Sequence, residues 1–113
     1  MPDGSILTAL MAVIEERRDH PPAGRSYVVS LLQGGVPGIV AKIAEESREV
    51  VEAAYEPGPE GREHLVHEVA DLFFHTLVLL GYHRIGWGEI EAEIGRRFGV
   101  GGFVEKESRD RGS

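Results

Sequence analysis

The sequence of 113 residues predicts an all-α protein. Glycine and proline divide it into segments whose apolar residues recur at the helical period, and no segment alternates strictly between apolar and polar residues. A short turn with two prolines separates the two longest segments, so we expect a helical bundle built on two long antiparallel helices. The length is that of one domain, and residues 1–113 are expected to fold as a single unit.

The first third of the chain contains one clear helix and one ambiguous segment. Ser5 belongs to a residue type that caps helices, and the helix it begins should end at the prolines at 21–22. Residues 26–32, with the sequence SYVVSLL, fit either a short helix or a strand. The glycines at 34–35 are expected to close that segment.

The remaining two thirds predict three further helices. The first should run from Pro37, a good residue for a first helical turn, to about residue 55. The turn at 57–59 leads into a second long helix, from about residue 60 to residue 83. A last helix is expected over residues 87–98, followed by a charged tail at about 103–113 that can be flexible.

Composition excludes several classes of function. The net charge is −7, from 19 acidic and 12 basic residues, which disfavours a nucleic-acid-binding protein. Cysteine is absent, so disulfides and thiolate metal sites are excluded. The N-terminus does not resemble a signal peptide, and no uninterrupted apolar run approaches the ~20 residues of a bilayer span. We therefore expect a cytoplasmic protein with no membrane partner.

The negative charge is concentrated in the two long helices. Residues 42–71 hold nine acids against three bases, a balance of −6. On the first long helix, the acids form one side and the apolar residues form the opposite side. Glu46 and Glu49 are three residues apart, so their carboxylates can meet at one point. A stripe of this kind is most often a solvated face.

The second long helix makes a solvated stripe a poor explanation. Its residues are apolar around nearly the whole circumference, which predicts a buried helix. Glu68 and Asp71 nevertheless share one narrow sector, with His75 one turn further on. An unpaired carboxylate in such surroundings costs several kcal/mol, and two of them also repel each other.

A divalent cation would remove both difficulties. If the long helices pack antiparallel, Glu46 and Glu49 can face Glu68 and Asp71 across the interface. Oxygen ligands without cysteine favour Mg²⁺, or Mn²⁺ in its place, over zinc. Because Mg²⁺ commonly completes its shell with water and substrate phosphates, an all-carboxylate site points to phosphate chemistry.

The spacing of these acids resembles a known signature. Glu46 and Glu49, then 18 residues, then Glu68 and Asp71 form the ExxE…ExxD pattern of the MazG-like all-α nucleotide pyrophosphohydrolases. Within that superfamily the chain resembles the phosphoribosyl-ATP pyrophosphohydrolase family. Four segments in family order carry the narrower resemblance: SYVVSLL at 26–32, KIAEESRE at 42–49, EVADLFFH at 68–75 and GFVEKESR at 102–109.

The resemblance implies an activity and a set of site residues. It implies Mg²⁺-dependent hydrolysis of phosphoribosyl-ATP to phosphoribosyl-AMP and pyrophosphate, the second step of L-histidine biosynthesis, in a bundle completed by dimerisation. The four acids of the signature would bind the metal: Glu46, Glu49, Glu68 and Asp71. Glu45 would be either a further ligand or the base that activates water.

The resemblance also implies contacts with the substrate. Lys42 would contact a substrate phosphate, although it can equally pair with Glu45 or Glu46 along its own helix. Ser26 and Tyr27 would contact the substrate or a partner subunit. Lys106 and Arg109, in the charged tail, would fold over the substrate phosphates. The chain departs from the family at Ala44, where glycine is usual, and at residues 103–104, where Leu-Glu is common.

Alternatives to this function remain at the sequence level. A housecleaning hydrolase acting on dUTP or another nucleotide would use the same acids, and a catalytically silent binding module would keep the same fold. His75 is either a metal ligand or a hydrogen-bonded structural residue. Together with His64, His67 and Asp71, it could instead form a stripe that binds a transition metal.

Overall fold

The computed structural model describes residues 5–98, and it divides them into four helices. In chain order they are α1 (Ser5–Asp19), α2 (Tyr27–Ala54), α3 (Gly58–Tyr82) and α4 (Trp87–Phe98). No strand occurs among the described residues. The prediction of an all-α protein is confirmed, and the predicted tail at 103–113 lies outside the described residues.

The segment at 26–32, which fitted a helix or a strand, is helical. Ser26 has an extended backbone, and its Oγ accepts a hydrogen bond from the Val29 backbone N–H at 3.2 Å, so it caps α2. The glycines at 34–35 were predicted to close the segment, but the helix continues through them. Gly35 (φ 66°, ψ −168°) bends the helix instead, and Pro37 lies in its next turn.

The two long helices form an antiparallel hairpin, as predicted. Only residues 55–57 separate α2 from α3, and these two helices make the most extensive packing in the described part of the chain. The turn is tight because Gly61 lies against the backbone of Glu56. A β-carbon at Gly61 would fall 2.2 Å from the Glu56 carbonyl oxygen, which no side chain permits.

The apolar core lies where α1 crosses the end of the hairpin far from this turn. α1 approaches α3 closely because Gly81 has no side chain: a β-carbon there would lie 2.8 Å from Ile14 Cγ2. Arg18 also donates a hydrogen bond to the Gly81 carbonyl at 2.7 Å. The buried core residues come from three helices: Met11, Ile14, Val28, Leu31, Ile39, Leu77 and Val78.

Near the turn, α2 faces α3 with its acidic side, as expected for acids that share a site across the interface, although the stripe pattern of α2 alone favoured a solvated acidic face. Glu46 and Ala53 are buried there, whereas Val40 and Val51 on the apolar side are exposed. The expectation of a fully buried α3 is also wrong for the single chain, because Val66 is 65% exposed.

By length and mean hydropathy, α2 and α3 could each cross a membrane. Neither helix contains an uninterrupted apolar run of bilayer length, and core helices of soluble proteins also meet the criterion of length and mean hydropathy. In this hairpin each helix buries a carboxylate against the other, Glu46 on α2 and Glu68 on α3.

Candidate metal centre

Two glutamates are buried at the packing interface between α2 and α3. Glu46 is 6% exposed and Glu68 is 7% exposed, and the Oε1 atom of each is buried without a hydrogen-bond partner. An ionised carboxylate oxygen without a donor is among the most costly groups that a protein can bury. These two oxygens therefore indicate a site whose charge requires a counter-ion.

A third carboxylate joins the buried pair. Oxygens of Glu46, Glu49 and Glu68 lie within 4.8 Å of one another, which is close enough for one cation to contact all three. The spacing of three residues places Glu49 beside Glu46 on α2, and the antiparallel hairpin brings Glu68 across from them. The structure thus brings together three of the four predicted ligands.

The fourth predicted ligand, Asp71, lies at the edge of this group. It forms a second close set with Glu68 and His67, and its Oδ2 pairs with His67 Nε2 at 3.3 Å. Its charge still reaches the first set, because it contributes to the raised pKa of Glu46. Asp71 is only partly buried, so water or substrate can approach it.

Burial is the main reason why the pKa of Glu46 is raised, and repulsion from Asp71 adds to it. The pKa of Glu49 is raised as well, chiefly because its carboxyl can share a proton with Glu68. Burial opposes ionisation of Glu68, yet hydrogen bonds from Glu49, His64 and Glu46 outweigh it and lower the pKa of Glu68. Without a cation, burial and mutual repulsion therefore make Glu46 and Glu49 harder to ionise than isolated glutamates.

His64 and Glu56 form a connection to the cluster that the sequence analysis missed. His64 Nε2 lies 3.0 Å from Glu68 Oε2, and His64 Nδ1 lies 2.9 Å from Glu56 Oε1. The hydrogen bond to Glu56, reinforced by Glu68, raises the pKa of His64. The spacing of four residues between His64 and Glu68 was a visible signal, but His64 was considered as part of a possible transition-metal stripe with His67, Asp71 and His75.

Lys42 and Glu45 lie on α2 beside the triad, the name used here for the three close carboxylates of Glu46, Glu49 and Glu68. Lys42 is one turn before Glu46, and Glu45 directly precedes it. Lys42 Nζ is 3.2 Å from Glu45 Oε1 and 3.9 Å from Glu46 Oε2. The hydrogen bond from Lys42 to Glu45 is the main reason why the pKa of Lys42 is raised. Glu45 is half-buried and does not belong to either close set of donors.

Tyr27 and His75 connect the start of α2 to the same region of α3. His75 is 4% exposed; its Nδ1 lies 2.8 Å from the Asp71 carbonyl oxygen, so this nitrogen donates. Its Nε2 then accepts from the Tyr27 hydroxyl at 3.0 Å. His75 thus has a structural role here, with both ring nitrogens occupied. Ser26, predicted to contact substrate, caps α2 with its hydroxyl.

The donor set fits a hard divalent cation. It consists of carboxylate oxygens, two of which are buried and lack donors, and no cysteine occurs in the chain. Lys106 and Arg109, which the sequence analysis assigned to the substrate, lie outside the described residues. Fold and site together define an all-α protein with a carboxylate centre that is suited to a divalent metal ion.

Comparison with known proteins places the chain more narrowly. Residues 7–98 match the family described as phosphoribosyl-ATP pyrophosphohydrolase. A phosphoribosyl-ATP pyrophosphatase of Geotalea daltonii is 51% identical over 94% of this chain and 96% of its own length. That of Geobacter metallireducens is 52% identical over 94% of this chain and 94% of its own length. That of Rhodopirellula baltica is 42% identical over 96% of this chain and 91% of its own length. This chain belongs to the phosphoribosyl-ATP pyrophosphohydrolase family.

Proposed function

We propose that this protein hydrolyses phosphoribosyl-ATP to phosphoribosyl-AMP and pyrophosphate, the second step of L-histidine biosynthesis, in a reaction that requires Mg²⁺. Membership of the family supports the substrate. The observation that carries the chemistry is the pair of buried, unpartnered carboxylate oxygens of Glu46 and Glu68 beside Glu49. A substrate that brings phosphates to a bound cation would complete a site of this composition.

In this proposal the four acids of the signature hold the cation: Glu46, Glu49, Glu68 and Asp71. A bound divalent cation, Mg²⁺ or Mn²⁺, would supply screening of the phosphate charge and a lower pKa for an attacking water. Glu45 would accept the proton of that water. Its half-exposed carboxylate directly precedes Glu46 on α2 but lies outside the close set of oxygens, which supports a role as base rather than as a ligand.

The contacts with substrate are proposed for residues around this centre. Lys42, whose Nζ already lies between Glu45 and Glu46, would turn toward a phosphate when the substrate binds. Tyr27 is exposed, its hydroxyl donates a hydrogen bond to His75, and it would contact the nucleotide. Ser26 would support Tyr27 through the start of α2, and Lys106 and Arg109 would bind phosphate oxygens.

We also propose that the protein is a cytoplasmic homodimer that does not bind nucleic acid. The net charge of −7 supports the exclusion of nucleic acid. Support for the dimer comes from an apolar groove between α1 and α3, with a volume of about 600 Å³. Its lining is entirely apolar: Ile6, Leu7, Leu10, Leu65, Val66, Val69, Ala70, Phe73 and Phe74.

The test of the activity is pyrophosphate release from phosphoribosyl-ATP, measured beside dUTP and the other deoxynucleoside triphosphates with Mg²⁺. We expect phosphoribosyl-ATP to be hydrolysed with the highest kcat/KM. A preference for any deoxynucleotide would replace this proposal with a housecleaning hydrolase that uses the same acids. No hydrolysis of any of them would leave a binding module.

Two substitutions connect the activity to the acid cluster. Glu49→Gln and Asp71→Asn should abolish turnover while leaving the helical content and the fold intact. Glu52→Gln is the matched control, because Glu52 lies on the same helix and pairs with Arg48 at the surface. Turnover that survives in both cluster variants would contradict the assignment of these acids.

A further inference from the structure

His64 contacts the proposed metal centre without belonging to it. Its Nε2 holds Glu68 Oε2 at 3.0 Å, whereas Glu68 Oε1 is buried and has no hydrogen-bond partner. The hydrogen bond occupies one lone pair of Oε2, so the unpartnered Oε1 is the oxygen most available to a cation. The hydrogen bond also fixes the rotation of the carboxylate about its last bond.

The imidazole of His64 is itself held in place from its other side. Its Nδ1 lies 2.9 Å from Glu56 Oε1, so carboxylates fix both ring nitrogens. Glu56 belongs to the turn between α2 and α3, where its backbone N–H bonds the Ala53 carbonyl at 3.1 Å. Gly61 packs directly against the Glu56 backbone, which leaves this turn little room to move.

We infer that His64 is a positioning residue that orients the Glu68 carboxylate toward the divalent cation through the chain Glu56–His64–Glu68. The inference rests on the proposed metal site and extends it by a residue outside the acid signature. Outer hydrogen-bond partners of this kind commonly change metal affinity by about 10- to 100-fold when they are removed.

Three substitutions at one position separate orientation from charge. In His64→Gln, the side-chain amide nitrogen can reach the place of His64 Nε2 and donate to Glu68. In His64→Asn, the amide is one methylene shorter and reaches only the place of Nδ1, near Glu56. His64→Ala donates nothing. All three variants remove the imidazole ring and its charge. Gln is the one of the three that keeps a donor to Glu68.

The measurement is Mn²⁺ binding to the metal-free protein by calorimetry, with no nucleotide present. We expect His64→Ala and His64→Asn to bind Mn²⁺ at least about tenfold more weakly than His64→Gln. The matched control is His20→Ala, which removes another i, i+4 histidine–glutamate pair, His20 with Glu16, from the exposed surface of α1. It should bind Mn²⁺ as the unchanged protein does.

Kinetics supply a second readout that a merely structural role would not move. At saturating Mn²⁺, His64→Ala should reach most of the kcat of the unchanged protein and have the same KM for phosphoribosyl-ATP, because the metal ligands themselves are intact. Equal Mn²⁺ affinities for the Gln, Asn and Ala variants would overturn the inference. If His64→Ala does not fold, the comparison of Gln with Asn still decides the question.

The same experiments separate this inference from the proposed function. A protein that binds Mn²⁺ in the expected order of variants but releases no pyrophosphate from phosphoribosyl-ATP would refute the activity alone. A protein that is active, with Mn²⁺ affinity indifferent to the donor at residue 64, would refute the role of His64 alone.

Discussion

Glu46 illustrates how a side chain can be unfavourable for the empty fold and necessary for its function. It is buried, one of its oxygens has no hydrogen-bond partner, and burial raises its pKa. Among the described residues, the cationic group paired with it, Lys42 Nζ, lies 3.9 Å from its other oxygen and donates its hydrogen bond to Glu45. The free energy lost by burying Glu46 is therefore recovered only when a cation binds.

Mg²⁺ should consequently stabilise the protein. At a concentration a hundred times its Kd, a ligand specific for the folded state adds about 2.7 kcal/mol to the free energy of unfolding, and Tm should rise.

Glu46→Gln should raise the metal-free stability by about 1 to 2 kcal/mol, because an amide can donate to Glu68. It should also lose the response to Mg²⁺, whereas Glu52→Gln should keep it. A Tm of the unchanged protein that stays flat across a Mg²⁺ titration would contradict the site.

His64 gives the metal-free protein a dependence on pH. Hydrogen bonding to Glu56, with help from Glu68, raises the pKa of His64 above its ordinary value of 6.5. The protonated ring is thus favoured in the folded state, and its stabilisation is present in full below pH 6.5. It is lost as the pH rises through the folded-state pKa, so Tm without metal should fall from pH 6 toward pH 9.

The control for this dependence on pH is His64→Gln, which cannot titrate in that range. Thermal melts of both proteins in metal-free buffer should converge at high pH and diverge at low pH, with the unchanged protein the more stable. Parallel curves would show that other groups cause the slope.

At the scale of single helices, the bend in α2 depends on one residue. Gly35 has φ 66° and ψ −168°, a region that is essentially confined to glycine. Space is not the constraint, because the nearest atom to a β-carbon there, the Tyr82 hydroxyl oxygen, would be 3.7 Å away. The bend places the Tyr27 end of α2 over α3, where the Tyr27 hydroxyl reaches His75.

Gly35→Ala should therefore lower the free energy of unfolding by about 1 to 3 kcal/mol. The neighbouring Gly34 provides the matched control, since it is helical and nothing lies within 4 Å of a β-carbon there. Gly34→Ala should be neutral or stabilising by up to about 1 kcal/mol, because alanine favours helix. Urea denaturation of the two variants measures both values, and equal effects would contradict a strained bend.

Local spacing was enough to predict the helices and most of the acid cluster. The i, i+3 pairs and the turn at 57–59 place Glu46, Glu49 and Glu68 together without further information. The same spacing predicted that Asp71 would join them. In the structure Asp71 forms its close set with His67 and Glu68 instead, and its Oδ2 lies 3.3 Å from His67 Nε2.

Contacts between distant residues could not be predicted in this way. Tyr27 and His75 are 48 positions apart, so no periodicity relates them. The link from Glu56 to His64 depends on the conformation of a turn. The stripe pattern of α2 by itself also left its orientation open, because two opposite stripes offer two interfaces; the acids of α3 were what favoured the acidic side.

At the scale of the whole molecule, the chain leaves much apolar surface uncovered. Only eight apolar side chains are buried among the described residues, and Val66, Phe73 and Val51 remain 65%, 47% and 58% exposed. Large apolar patches on a soluble protein usually mark an interface. The groove between α1 and α3 is continuous with this surface through Val66 and Phe73.

A second copy of the chain covering that groove would bury Phe73, so its replacement by a charge should separate the copies. We expect light scattering on a sizing column to give twice the chain mass for the unchanged protein and the single mass for Phe73→Asp. Val13→Asp is the control, because Val13 is exposed on α1 but does not line the groove. It should remain dimeric.

If Phe73→Asp stays dimeric while Val51→Asp dissociates, the interface lies on the exposed side of α2 instead. A single mass for the unchanged protein would contradict the dimer itself, because a groove that remains open in solution cannot be the surface through which two copies associate.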